Sequence, residues 1–402
     1  MKKQIFTILM LIGLSTLIPV SYINAQNQPL NLSKAIELAL INNQNYQAQK
    51  KIVEKSFALI PSAINLGKTN IYYHYDESNT VVGLPLKTVG VQQSISYPGI
   101  YSAQKKTLES VANQQKALLG ILRNRLIKQV SQNYNQIVYL QNKISIFNYL
   151  DSLYNHFAYA AEKRLQTGET NYLEKLTADS KKMEIHTKLK QTKNDLQISY
   201  LELQKLTGIK IPFFIPNKKL IPILVPKIKE SGKYYLNSAK AKTKIALNRM
   251  KIEKRKFIPD INFEYFQGKT YLKASKAYRG FSVGISLPIW FFPQKSKTKA
   301  AKLEYQAAKK RELFQEIAIT TKKEQLLKQI DKYLTAINYY NKTGKKLSNA
   351  LLKMASKSFH HGEIDYVKYI LSVKDGTDIR LNYLYNLYQY NLNIIQLKYL
   401  EL

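Results

Sequence analysis

The sequence predicts a mainly α-helical protein with a transmembrane β part, built as two tandem repeats of one unit. Three observations predict it. Between Pro98 and Pro212 lie 113 residues without proline, and 109 more follow Pro293. Proline inside a helix removes a hydrogen bond and clashes with the preceding turn, so such stretches, rich in Lys, Gln, Leu and Glu, favour long helices. The segments around 70–75, 86–97, 261–265 and 279–287 alternate apolar and polar residues, the period of a strand with one apolar face. Finally, the same landmarks recur in the same order. Gly168-Glu169-Thr170-Asn171-Tyr172 returns as Gly362-Glu363-Ile364-Asp365-Tyr366 at an offset of 194, and Ser94-Ile95-Ser96-Tyr97-Pro98 as Gly284-Ile285-Ser286-Leu287-Pro288 at 190. Leu201, Leu203 and Leu206 map onto Ile395, Leu397 and Leu400, and Ile60-Pro61 onto Ile258-Pro259. An internal duplication accounts for this order.

Residues 1–25 read as a signal peptide. Lys2 and Lys3 precede the apolar run from Ile5 to Val20, and Ala25 stands before Gln26 as a small residue at a cleavage point. Residues 26–210 form the first repeat, 211–232 a linker and 233–402 the second repeat. In the first, a helix over 31–58 is opened by Asn31 or Ser33 as cap. Strands follow at about 69–97, with Val89, Val91, Ile95 and Tyr97 on one face and Gly90, Gln92, Ser94 and Ser96 on the other. A long helix over 100–166 and a second over 171–207 complete the unit. The second repeat runs 233–258 (helix), about 260–287 (strands), 295–358 (long helix) and 364–400 (helix). Gly120 and Gly344 are the glycines well inside the two longest helices, each costing about 1 kcal/mol against Ala.

The lengths make one arrangement close. At 1.5 Å per residue the helix over 100–166 spans about 100 Å, whereas 31–58 and 171–207 span about 42 and 55 Å. Placed end to end, the two short helices match the long one, and the second repeat closes in the same way. Each repeat is therefore a β-hairpin plus a long antiparallel helical hairpin with one continuous and one broken strand. Strands of about ten residues suit an outer membrane, but four strands cannot close on themselves and leave unpaired edges in lipid. A homotrimer supplies twelve strands, giving a 12-stranded barrel on an α-helical tunnel; strand count alone also admits a dimer or tetramer.

Composition narrows the function. There is no cysteine, which excludes disulfides, Cys-ligated zinc, iron–sulfur clusters and a thiol nucleophile. The formal charge of +35 invites a polyanion, yet only 8 of the 62 basic residues are arginine, the residue that reads bases bidentately, so no nucleic-acid partner is expected. The excess is local: residues 218–311 hold 24 bases and 5 acids, against 9 and 5 over 31–120. Lys251, Lys254, Arg255 and Lys256 precede the second hairpin and Lys295, Lys297 and Lys299 follow it, within reach of outer-membrane lipid headgroups. Tyr72, Tyr73, Tyr75, Tyr97 and Tyr265 fall where an interfacial aromatic girdle belongs. Tyr383, Tyr385, Tyr388 and Tyr390 are read as inter-helix packing. No nucleophile elbow or phosphate-binding loop occurs, so the protein is not expected to be an enzyme or to hold a cofactor. His74, His156, His186, His360 and His361 give no metal-ligand spacing, since the neighbouring tip pair diverges by about 100° on a helix.

The chain resembles the TolC-type outer-membrane efflux family. The resemblance is carried by Leu32-Ser33-Lys34-Ala35-Ile36-Glu37-Leu38-Ala39-Leu40, by Ser286-Leu287-Pro288 and by the paired Gly-Glu turns, and it covers nearly the whole mature chain. It also resembles the heavy-metal (CzcC-like) branch, in Gly67-Lys68-Thr69-Asn70-Ile71-Tyr72-Tyr73, in Gly90-Val91-Gln92-Gln93-Ser94 and in Thr167-Gly168-Glu169-Thr170-Asn171-Tyr172-Leu173-Glu174. The family implies a trimeric exit duct in the outer membrane of a Gram-negative bacterium, opened by a periplasmic adaptor (membrane fusion) protein and fed by an inner-membrane efflux pump of the RND type. The branch implies heavy-metal cations as cargo; multidrug efflux or type I secretion is the alternative cargo, and a non-pore periplasmic scaffold or adhesin the alternative class. The resemblance places adaptor docking at Leu165, Gly168, Glu169, Phe359, Gly362 and Glu363. The family's archetype closes its lumen with two aspartates past the second turn, where this chain has Lys368 and Leu371. Glu174, Asp365 and Lys368 are the candidates here for a channel constriction.

Overall fold

A computed structural model describes residues 28–77, 86–225, 232–270 and 277–400. The expected signal peptide lies outside the described residues, as does the end of the expected linker. In chain order the elements are β1 (Gln28–Pro29), α1 (Leu32–Asn42), α2 (Gln44–Ala58), β2 (Asn70–Asp76), β3 (Leu86–Ile95), α3 (Pro98–Gln166) and α4 (Tyr172–Thr207). Then come β4 (Phe213–Phe214), α5 (Lys233–Arg255), β5 (Asp260–Thr270), β6 (Tyr278–Ser286), α6 (Phe291–Tyr339), α7 (Lys345–His360) and α8 (Tyr366–Lys398).

The long helices form where proline is absent, and α3 runs unbroken for 69 residues, about 104 Å. Proline starts it, since Pro98 fills a position whose N–H would have no partner. Gly120, in its middle, has the Tyr234 ring of α5 lying against it, so a Cβ there would collide with the ring. The helix pays for a glycine so that α5 can pack closely.

The helix expected over 31–58 is two helices. Asn31 caps the first, its Oδ1 accepting from Lys34 N at 2.8 Å. Asn43 leaves helical geometry and caps the second, its Oδ1 accepting from Tyr46 N at 3.0 Å. Gln47 Nε2 donates to the freed carbonyls of Leu40 and Ile41 at 2.8 and 2.9 Å. Beside the break, Asn42 Nδ2 donates to Thr207 O at 3.0 Å, fastening the end of α1 to the end of α4. The helix expected over 295–358 is likewise interrupted, by a π turn at Tyr340–Gly344. Its extra residue rotates Tyr340 onto Tyr383 of α8, with ring centroids 3.9 Å apart and planes 15° apart.

The four main strands form one antiparallel sheet in the order β2-β3-β5-β6, with the hairpins of the two repeats joined through β3 and β5. Two hydrophobic cores hold the helices together. The larger joins α3 (Leu126, Val130, Ile137), α6 (Leu326, Ile330, Ile337) and α8 (Leu387, Ile394, Leu397), each at helical spacing. The smaller lies towards the α3–α4 and α7–α8 turns and includes Phe147, Leu150, Ile185, Ile370 and Val373. Fully burying one such side chain contributes about 1.5–3 kcal/mol.

Residues 211–225, expected as a linker, form a strap bound to the helices. β4 pairs in parallel with β1. Gln141 Nε2 donates to Ile215 O at 2.9 Å and Asn142 Nδ2 to Lys218 O at 2.8 Å. From α8, Asn391 Nδ2 donates to Ile221 O at 2.9 Å and to Asn135 Oδ1 at 3.1 Å, while its Oδ1 accepts from Ile223 N at 2.9 Å. Side-chain amides on α3 and α8 thus take up the backbone groups of a segment with almost no ladder of its own. Asn391 is 1% exposed. Asn391→Leu should leave these groups unpaired, costing roughly 2–4 kcal/mol in thermal unfolding, and should open the strap to limited proteolysis at 221–225.

Candidate functional site

The two tip turns are the same structure twice. Gly168 and Gly362 both have φ of 73°, the left-handed region that glycine enters without a Cβ penalty. In the first turn, Gly168 N donates to Leu165 O at 3.1 Å and Glu169 N to Arg164 O at 2.8 Å; in the second, Gly362 N donates to Phe359 O at 3.1 Å and Glu363 N to Ser358 O at 2.8 Å. This is the paired bonding of a Schellman cap, which closes one helix with its own last carbonyls. The next helix opens three residues later on a capping side chain. Asn171 Oδ1 accepts from Glu174 N at 2.9 Å, and Asp365 Oδ1 from Lys368 N at 2.7 Å.

The side chains around the two turns differ. In the first, Arg164 lies 3.7 Å from both Glu169 and Glu174, and Thr170 Oγ1 donates to Glu174 Oε2. Glu174, a candidate for a constriction, is thus half-buried and held inside its own hairpin, while Gly168 and Glu169 are exposed and Leu165 half-buried. In the second turn, Glu363 accepts from Ser358 Oγ at 2.7 Å, and Gly362, Glu363, Asp365 and Lys368 are exposed. Phe359 is half-buried in an aromatic cluster, 4.9 Å from Tyr369 and 5.7 Å from Phe157 of the other hairpin. The cluster, with Phe157 only 4.6 Å from Tyr369, stitches the first repeat's tip to the second's. Sequence reading missed it because Phe157 is one of several aromatic residues along a 69-residue helix and its partners lie about 200 residues away; Phe359, Tyr366 and Tyr369 at spacings of 7 and 3 were the available signal. Burial pushes the Tyr154 and Tyr369 phenols up to about 12, and that of Tyr366 up as well. His360 and His361 are exposed with ring centroids 6.3 Å apart, and no cluster of three metal-ligating side chains occurs among the described residues.

Above the tip, α3, α4 and α8 bound a groove of about 290 Å³. Its floor is apolar (Phe147, Leu150, Ile185, Ile370), and its rim is ion-paired. Lys181 and Lys188 reach Glu184 at 2.7 and 2.6 Å, and Lys374 reaches Asp378 at 3.0 Å. Hydrogen bonds from the two lysines hold the Glu184 carboxyl down to about 2.

At the other end, the sheet has two unlike faces. Ile71, Tyr73, Tyr75, Val89, Val91, Ile261, Phe263, Tyr265, Phe281, Val283 and Ile285 are all exposed and all on one face. The opposite face is polar and knitted across strands. Tyr72 Oη donates to Glu264 Oε1 at 2.6 Å, Ser282 Oγ to Glu264 Oε2 at 2.9 Å, and Asn262 Nδ2 to Ser286 Oγ at 2.6 Å. One row reads Tyr72, Gly90, Phe266, Gly280 across the four strands, each ring covering a glycine. Tyr72 therefore stands opposite Tyr73 and Tyr75 and is no part of an outward girdle. Among the described residues, no helix is long and apolar enough to cross a membrane.

No family model and no curated protein matches the sequence. Solved structures do match the fold. The outer-membrane channel OprN superposes with a TM-score of 0.80 at 12% identity, over 92% of this chain and 89% of that one. The outer membrane protein VceC from Vibrio cholerae gives 0.75 at 13%, over 91% and 95%. CusC, described in terms of folding and transmembrane channel formation, gives 0.70 at 16%, over 91% and 90%. The chain shares their fold over about nine-tenths of its length.

Two outcomes follow from the tip geometry. A Cβ on Gly168 or Gly362 meets no atom within 4 Å, so Gly168→Ala and Gly362→Ala should each cost only the backbone strain, about 1–2 kcal/mol in thermal unfolding, with Asn recovering most of it. Raised phenol values mean that the folded tip favours neutral tyrosine. Stability from Tyr154 and Tyr369 should be complete below pH 10 and lost as pH rises from there through about 12, seen as late phenolate absorbance coinciding with tip unfolding.

Proposed function

We propose that the protein is the outer-membrane exit duct of a tripartite efflux system in a Gram-negative bacterium. One observation carries this reading: an open-edged sheet, apolar on one face and polar on the other, is continuous with helical hairpins about 100 Å long. The sheet crosses the outer membrane and the helices reach into the periplasm. Three protomers pair β2 of one with β6 of the next and close a 12-stranded barrel, leaving no edge in lipid. The duct performs no chemistry and supplies no energy. A periplasmic adaptor engages the tip at Leu165, Gly168, Glu169, Phe359, Gly362 and Glu363, and an RND-type inner-membrane pump loads it.

Heavy-metal cations are the cargo in this reading. It is supported by the sequence resemblance around Gly67, Gly90 and Gly168, and by the polar face of the sheet, where Glu264 is the carboxylate at mid-strand. In the closed trimer, three copies of Glu264 make an acidic ring in the lumen, the charge that favours a cation. Asp365 and Lys368 are the exposed candidates for a tip constriction; Glu174 needs release from Arg164 first.

Reconstituted protein should migrate as a heat-modifiable trimer and conduct ions across planar bilayers; a folded monomer without conductance sinks the duct. Glu264→Gln should shift the reversal potential toward anion permeation while leaving trimer yield unchanged. Deleting the gene should sensitise the cell to divalent transition metals; sensitisation to drugs alone would replace the cargo but keep the duct.

A further inference from the structure

The junction between β6 and α6 departs from its counterpart in the first repeat. There, Pro98-Gly99-Ile100-Tyr101 turns inward: Ile100 is 6% exposed, Ser96 N donates to Tyr101 Oη at 3.0 Å, and Arg255 donates to Gly99 O. In the second repeat Pro288 is followed by Ile289, Trp290, Phe291 and Phe292, with Ile289 75% exposed and Trp290 and Phe292 each 80%. The shared fold therefore does not require these four side chains to be exposed. They follow directly on β6, whose Phe281, Val283 and Ile285 share one exposed face, and Leu287 between them is exposed as well.

Directly below lies a cationic band. Gln294 Nε2 donates to Glu253 O at 2.7 Å and to Glu253 Oε2 at 3.0 Å, which fixes the start of α6 against the end of α5. Lys251 and Lys254 on α5, Lys256 just after it, and Lys295, Lys297 and Lys299 on α6 are consequently brought to one level, all exposed. Of the six, only Lys256 is hydrogen-bonded to a carboxylate, Glu253 at 2.7 Å. Lys295 to Lys299 stand about 6–12 Å along the helix from Phe291. That is the depth of a headgroup layer beneath a hydrocarbon core about 30 Å thick, and lysine stems snorkel over several ångströms.

We propose that residues 287–292 and these lysines form a membrane anchor in which the aromatic side chains enter the interface and the ammonium groups bind anionic glycerophospholipid headgroups. The anchor rests on the reading that the apolar face of the sheet meets lipid. Aromatic rings favour that interface because one part is apolar and the ring tolerates the polar boundary, and each lysine near an anionic surface adds attraction. A neighbouring protomer is the poorer occupant. The matching level of the first repeat carries Lys50, Lys51, Lys55, Lys105 and Lys106 against Glu54 and Glu109, so the two flanks would repel. Each protomer then contributes one anchor, giving three around the duct although the architecture repeats six times.

Trp290 is the only tryptophan in the chain, so its fluorescence reports on this spot alone. Full-length protein is reconstituted in phosphatidylcholine vesicles containing a minor fraction of brominated phosphatidylglycerol or brominated phosphatidylcholine, with bromines near the headgroup or near the chain end. Headgroup-proximal bromines should quench Trp290 more than chain-end bromines, and phosphatidylglycerol should quench at least about twofold more than phosphatidylcholine at low salt. High salt should erase that preference, as should Lys295→Gln/Lys297→Gln/Lys299→Gln, which should keep the quenching by phosphatidylcholine. Unquenched Trp290 in vesicles that hold heat-modifiable trimers overturns the anchor and leaves the duct standing. Equal quenching by the two lipids overturns the headgroup assignment. Failure of the protein to enter vesicles overturns the anchor together with the lipid-facing sheet.

Discussion

A strand edge carries a row of N–H and C=O groups, and hydrocarbon offers them no partner. The sheet has two such edges, β2 and β6, with the first repeat's hairpin on one side and the second repeat's on the other. One face of the sheet is apolar and exposed on all four strands; in the proposed duct that face meets lipid and the edges are paired by other copies. The proposed closure extends to the helical part. Exposed apolar residues lie on α4 (Leu173, Leu176, Met183) and on α6 (Leu313, Phe314, Ile317), the two flanks that the next protomers would cover in the proposed trimer.

The two halves share an architecture and differ in their side chains. The tip turns keep their hydrogen bonds to within a few tenths of an ångström while their side chains part company. One turn binds its carboxylates back onto Arg164; the other inserts Phe359 into an aromatic cluster shared with the first hairpin. The junctions next to the sheet diverge further, one buried and one carrying the chain's only tryptophan to the surface.

Strands, long helices and tip turns were legible because each depends on local chemistry: period 2, absence of proline, and glycine followed by a capping residue. The departures share a physical cause. Asn43 breaks a helix of good propensity because Asn42 is fastened to the end of α4, 165 residues away. The π turn at Tyr340–Gly344 exists to stack Tyr340 on Tyr383, which no window of sequence around it contains. The strap over 211–225 looked like a linker because its partners, Gln141, Asn142 and Asn391, lie far off in the chain. Tyr383 and Tyr388 pack between helices as expected, whereas Tyr385 is exposed. Of the candidate site, the turn residues were legible through the repeat itself, but the withdrawal of Glu174 towards Arg164 was not.

By itself, the sequence determined the two faces of each strand and both tip turns, since each is settled by residues within one helical turn or two strand positions, and the order of the elements, since the same local signals recur about 190 residues apart. Tertiary structure alone decided where the long helices bend, which tyrosines are buried, how the strap is held and which of the two junctions turns outward. Those outcomes depend on contacts between residues dozens to hundreds of positions apart, and a pattern read along the chain carries no term for them.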